Sequence, residues 1–139
     1  MDGLRLVFFV SGGCMKWMLL IGLGGALGTM LRYLCVRGLQ VFAGGLPWGT
    51  LFVNVLGAFV AGFCCVICRT KLQAYEAYFP ILFIGFLGGF TTFSAFALEC
   101  IRFFEAAQYG KCLIYLLVQN VTGMLAAGIG LYLAKQCFH

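Results

Sequence analysis

The sequence predicts an all-α membrane protein: four transmembrane helices, the third broken at its middle, assembled as an antiparallel, dual-topology homodimer. Three observations carry this expectation. Hydrophobic residues make up 63% of the 139-residue chain and charged ones 9%, whereas about a quarter of a soluble domain is charged. Four apolar runs approach the roughly 20 residues that cross a hydrocarbon core. Within the third run, the stretch GFLGGFTTFSAF (Gly85 to Phe96) sets Gly88 and Gly89 close before Thr91 and Thr92. Glycine is conformationally loose and threonine is stiff at χ1, so a helix is expected to falter there. The net charge of +5 is spread too thinly for a nucleic-acid surface and reads as interfacial anchoring.

Residues 1–14 read as a short extension. Their apolar run, Leu6 to Val10, is too short to span and ends in Ser11, Gly12 and Gly13, and Met15 opens a natural start, MKWMLLIGLGG. A single domain is therefore placed at 15–139, without a cleaved signal peptide, because the first apolar segment runs on with no small-residue cleavage motif. The first span covers about 17–36, with Trp17 and Tyr33 as interfacial aromatics and Gly24 and Gly28 as a GxxxG packing face. Arg32, in its last turns, either snorkels or turns inward.

After a loop over 37–48, Pro47 and Trp48 introduce the second span, about 49–68, which carries no charge. Its strongly polar residue is Asn54. Helical spacing collects Gly57, Ala58 and Ala61 on the face of Asn54, so its amide faces protein or a pore rather than lipid. Arg69 and Lys71 end this span, and a linker through Glu76 to Pro80 leads to the third, about 81–104. There Phe93 and Phe96, three residues apart, share a face just past the expected break, and Thr92, Phe96 and Glu99 fall at i, i+4, i+7. The fourth span, about 112–134, offers a polar stripe of Tyr115, Gln119 and Thr122, and a small-residue stripe of Gly123, Ala127 and Gly130 for packing. Lys135 and His139 finish at the interface.

Eight cysteines include a CxxC at Cys65 to Cys68. The motif ends an apolar span, has no second CxxC, and the only histidine is His139, so cysteine is read as a small apolar filler rather than a metal ligand.

Orientation follows from the basic residues. One side holds Arg5, Lys16, Arg69, Lys71 and Lys135, the other Arg32, Arg37, Arg102 and Lys111. Five against four is almost no bias, and the tally is level if Met15 is the start, so the chain is expected to insert both ways and pair with itself antiparallel. Discounting internal charges such as Arg32 and Arg102 would restore a bias.

An interrupted helix frees carbonyls that lipid cannot satisfy. If two breaks cross at a twofold axis, carbonyls near Gly88 and Thr91 of both chains converge into an oxygen cage for a hard monovalent cation; the competing reading is that these glycines only pack against a neighbour. Phenylalanine usually faces lipid, yet the paired rings of Phe93 and Phe96 can present positive edges to a small anion, with donors from Asn54 and Ser94 beside them. Glu99 opposes an anion path, costs roughly 2.5–3.5 kcal/mol at a helix centre, and is expected to hydrogen-bond Tyr115 or order water.

The motifs GGALGTMLRY, GTLFVNVLGAFVAGF and GFLGGFTTFSAF, in this order across about residues 17–134, resemble the Fluc family of four-helix fluoride channels. The resemblance implies a dual-topology homodimer with two pores in the cell (inner) membrane, passive fluoride efflux that lowers toxicity, and one structural, non-transported sodium ion. By position, Gly88 and Thr91 resemble its backbone sodium ligands, Phe93 and Phe96 the rings facing fluoride, and Asn54 the pore asparagine. Ser94, Glu99 and Tyr115 match pore-associated polar positions, and Arg32 the arginine ending the first helix. Gln119 and Gly123 depart from the pattern, standing where hydroxyl side chains are expected. Enzymatic activity is not expected. The alternative is a proton-coupled small exporter of the small multidrug-resistance type, which needs a deep titratable carboxylate; only Glu99 would serve.

Overall fold

The computed structural model describes residues 13–39 and 45–138. Helix α1 (Gly13–Leu39) is followed by α2 (Trp48–Thr70), a 3₁₀ stretch (Gln73–Tyr78) and a π-helical stretch (Ile81–Leu87); then come α3 (Gly88–Phe90), α4 (Phe93–Glu105) and α5 (Tyr109–Phe138). Among the described residues, four helical segments are long and apolar enough to cross a membrane: Met15–Leu39, Trp48–Thr70, Gln73–Glu105 and Tyr109–Phe138. All four expected spans are present and each is longer than its apolar run, because a helix continues into the polar interface where hydropathy no longer marks it. Of the expected extension, residues 1–12, with Arg5, lie outside the described residues, as does His139, while Gly13 and Cys14 already belong to α1.

The four segments pack in two main pairs, α2 along α5 and α1 along the third span. Large apolar side chains such as Leu19, Leu23 and Leu27 of α1 and Met124, Leu125 and Ile129 of α5 point outward, as lipid-facing residues do. Among the described residues, the largest fully buried side chains are Tyr115 and Val53.

Small residues bring the helices together. A Cβ on Gly28 would overlap the carbonyl oxygen of Phe86, and one on Gly24 would stand 2.9 Å from that of Ile81. The third span reciprocates, since a Cβ on Gly85 would stand 2.6 Å from the Ile21 carbonyl oxygen and one on Gly89 would overlap that of Gly25. Across the other pair, Gly62 meets Ala127 and Gly130 meets Phe59 in the same way. The GxxxG face on α1 thus packs as expected. Of the small stripe on α5, Gly130 packs and Gly123 does not: a Cβ there would meet nothing within 4 Å.

The break falls within the expected stretch, on its threonines rather than its glycines. Gly88 is helical (φ −62°, ψ −36°), and the chain leaves the helix at Thr91 (φ −88°, ψ 160°) and Thr92 (φ −152°, ψ 117°). The glycines serve the contact with α1, and the two β-branched residues after them carry the extended backbone.

Candidate ion site at the helix break

Two extended residues inside a membrane span release backbone groups that must find partners within the protein. Thr91 keeps its N–H on the Leu87 carbonyl at 2.9 Å, and its hydroxyl donates to the same oxygen at 2.9 Å. The Thr92 N–H, which in a continuous helix would serve the Gly88 carbonyl, donates instead to Asn54 Oδ1 at 2.7 Å. Asn54 Nδ2 returns a bond to the Thr92 carbonyl at 3.0 Å, so one side-chain amide pairs with both backbone groups of Thr92. Gly57 makes this reach possible, because a side chain there would overlap the Thr91 methyl group.

The neighbouring Thr91 carbonyl accepts from Arg32 Nη1 at 3.3 Å, so of the two orientations open to this residue α1 adopts the inward one. Helix α4 restarts on a side-chain cap, with the Thr92 hydroxyl accepting the Ala95 N–H at 3.2 Å.

The break opens onto a groove of about 480 Å³ lined by Asn54, Gly57, Ala58, Ala61, Phe83, Leu87, Gly88, Thr91, Thr92, Phe93, Phe96, Gln119, Asn120, Gly123 and Met124. The expected face of Asn54 with Gly57, Ala58 and Ala61 is therefore real and forms one wall. Gly88, Thr91, Phe93 and Phe96 meet in the same groove. The rings of Phe93 and Phe96 stand edge to face, 5.7 Å between centroids and 61° between planes. Their exposure differs sharply: Phe93 is 78% exposed and Phe96 is 7% exposed, so one ring is free to meet an ion or a partner and the other also builds the core.

Ser94 is exposed, does not line the groove, and lies with its hydroxyl 3.3 Å from that of Thr92.

Behind Phe96 lies a second polar group. Tyr115 packs its ring 5.3 Å from Phe96 and donates its hydroxyl to Glu99 Oε2 at 2.7 Å, one of the two roles expected for that carboxyl group. Thr50 donates to Glu99 Oε1 at 2.7 Å. Each carboxylate oxygen thus has its own hydroxyl donor, which answers how an acidic residue is carried in this span. Sequence reasoning missed Thr50. The signal was available, since Thr50 stands four residues before Asn54 and extends the same stripe by one turn.

The described cysteines are free thiols, those of the CxxC among them.

Fold and site together define a small polytopic membrane protein whose interrupted span opens onto an amide- and phenylalanine-lined groove. The chain belongs to the family described as CrcB-like protein, Camphor Resistance (CrcB), whose family model matches residues 19–131. Among similar proteins is the fluoride-specific ion channel FluC of Rhizobium meliloti (strain 1021), 43% identical over 122 residues, which cover 87% of this chain and 98% of that protein. The protein of that name from Legionella pneumophila (strain Paris) is 41% identical over 118 residues, covering 84% and 88%. That from Hydrogenovibrio crunogenus is 36% identical over 119 residues, covering 85% and 90%. The resemblance read from the three motifs is thereby borne out.

Proposed function

We propose that this protein is a fluoride channel that lets the anion leave the cytoplasm passively across the cell (inner) membrane and so lowers its toxicity. The observation that carries the reading is the composition of the groove. It brings an edge-to-face phenylalanine pair and a side-chain amide to the helix break, with no lysine, arginine or histidine among the described residues of its lining. Ring edges attract an anion weakly. Asn54 has two amide protons, of which one is committed to Thr92, leaving the other for a passing ion. Weak, multiple contacts let an ion enter and leave again. That several relatives are named fluoride-specific ion channels supports fluoride as the anion. Hydrogen fluoride, a weak acid, crosses bilayers neutral and dissociates in a less acidic cytoplasm, so a passive pore suffices for release.

Glu99 plays a supporting part in this reading. With both oxygens engaged by hydroxyls, it differs from the unengaged carboxylate that a proton-coupled exporter would present to substrate. Liposomes holding the protein should lose fluoride rapidly once a potassium ionophore relieves the voltage, and should keep chloride. Equal loss of chloride would overturn the assignment.

The working unit in this reading is an antiparallel homodimer, with a structural sodium where the two breaks meet. The oxygens of the break suit a hard cation. The Gly88 carbonyl loses its helical donor because the Thr92 N–H goes to Asn54, and the Thr91 carbonyl, which has two lone pairs, accepts one bond from Arg32. Gly88 and Thr91 would hold the ion by their carbonyls, and a second copy would double the set. Purification without sodium should therefore shift the protein from dimer toward monomer in size-exclusion chromatography; a dimer indifferent to sodium removal would count against the cage.

A further inference from the structure

Two thiols from different helices meet behind the groove. Cys100 is 8% exposed in α4, and Cys112, half-buried, stands in the first turn of α5. Cys112 Sγ donates to the Cys100 carbonyl at 3.4 Å, and the Cys100 thiol hydrogen-bonds with that of Cys112. Both are free. The CxxC differs in this respect: Cys65 and Cys68 share one helix, so a bond between them would join nothing that is not already joined.

The short connection between α4 and α5 fixes the pairing. Ala107 takes a φ of 55°, and the Gln108 N–H reaches back to the Phe103 carbonyl at 2.8 Å, a helix ending that folds α5 along α4. On the turn side of the pair Phe104 packs on Tyr109, 5.0 Å between ring centroids, and on the groove side Phe96 packs on Tyr115. Cys100 follows Phe96 by one helical turn and shares a buried cluster with Phe96 and Tyr115, against which Cys112 packs.

We propose that Cys100 and Cys112 are a redox modification site: exchange with a small-molecule disulfide closes a bond between them that clamps α4 to α5 and lowers flux through the groove. The effect on flux rests on the fluoride-channel reading above; the site itself does not. The half-buried Cys112 thiolate attacks the reagent's disulfide, forming a mixed disulfide and releasing one reduced thiol. The Cys100 thiolate then attacks the Cys112 sulfur and expels the second. Two protein thiols are oxidised, one reagent disulfide is reduced to two thiols, and the two protein protons pass to the leaving thiolates. The new bond draws the sulfurs to about 2.05 Å, closer than any unbonded contact, and a close-packed interior passes that displacement on to Phe96 and Tyr115.

The test uses the full-length protein and oxidised glutathione. Peptide mapping after alkylation should find a bridge between Cys100 and Cys112 that dithiothreitol removes. Cys100→Ala should leave Cys112 carrying glutathione, because the thiol that would release it has gone, whereas Cys112→Ala should leave the buried Cys100 unmodified. In detergent the oxidised parent should unfold about 5 °C or more above the reduced protein. In liposomes its fluoride flux should be at least about threefold lower and should return on reduction. The protein carrying both Cys100→Ala and Cys112→Ala should conduct equally with and without glutathione, which removes the other cysteines from the effect.

A bridge between other cysteines, or none at all, overturns the site. A bridge between Cys100 and Cys112 that leaves the flux of a conducting parent unchanged overturns the clamp while the channel reading stands. If the parent protein itself passes no fluoride, the channel reading fails, and the bridge with its thermal shift still decides the site.

Discussion

The third span meets the rest of the bundle in two opposite ways. Along Ile81 to Phe90 its backbone is helical and lies against α1 with almost nothing between the two backbones, because Gly24, Gly28, Gly85 and Gly89 present no side chains at the contact. One step later, at Thr91 and Thr92, its backbone is extended and is held by side chains that reach across to it, Asn54 from α2 and Arg32 from α1. Regular backbone satisfies its own polar groups and can be packed by removing side chains. Irregular backbone at membrane depth needs polar side chains brought to it. The glycines and the break adjoin in sequence but solve different problems: the glycines fix how close α1 lies, and that closeness delivers Arg32 to the Thr91 carbonyl.

The largest effect should come from filling the seam. Gly28→Leu would drive a side chain into the Phe86 carbonyl and should leave no monodisperse protein after purification. Gly28→Ala is the more telling change because two terms oppose each other. Alanine gains about 1 kcal/mol over glycine in a helix, while overpacking costs about 1–3 kcal/mol or more. A backbone oxygen cannot swing aside as a flexible side chain can, so the thermal midpoint should fall. Gly22→Ala, where a Cβ meets nothing within 4 Å, should raise it. A rise at Gly28 equal to that at Gly22 would remove the seam from the comparison.

The pairing of Asn54 with the Thr92 backbone should rank second. Asn54→Leu leaves the N–H and the carbonyl of Thr92 without their partner, at about 1–3 kcal/mol for each group. Asn54→Asp keeps an acceptor for the N–H but loses the donor to the carbonyl, and should fall between the parent and the leucine variant in thermal unfolding, with fluoride flux reduced in both. If Asn54→Leu is as stable as the parent, the break is not held from α2.

Much of this was legible in the sequence because it depends on spacing along one helix. The four spans, the small-residue face around Asn54, the GxxxG contact of α1 and the hydrogen bond from Tyr115 to Glu99 all follow from apolar run length, helical register or residue chemistry. The position of the break was less legible. Glycine has the poorest helix propensity among these residues, yet Gly88 and Gly89 stay helical since packing against α1 outweighs that propensity. The threonines leave the helix because Asn54, 38 positions earlier in the chain, offers Thr92 a substitute for helical hydrogen bonds. No local pattern announces a partner so distant. The same holds for Arg32, whose target lies 59 positions away, and for the groove itself, whose walls come from α2, the third span and α5.

The smallest effects should come from the Glu99 group, which asks whether polar support extends past the break into α4. Tyr115→Phe removes one hydroxyl and retains the ring contacts with Phe96 and Phe103; Thr50→Ala removes the other donor. A hydrogen bond to a charged group is worth about 1.5–3 kcal/mol, and either donor alone still leaves the carboxylate one bond, so each single change should cost at the lower end of that range. The pair should cost more than their sum, since the last donor lost leaves both carboxyl oxygens without a hydrogen-bond partner. Glu99→Gln should soften that penalty, because hydroxyls both donate and accept and can serve an amide as well. Thermal unfolding of the four proteins in a double-mutant cycle measures the coupling. Strict additivity would mean that Thr50 and Tyr115 support α4 separately, and that polar reinforcement of the third span ends at Thr92.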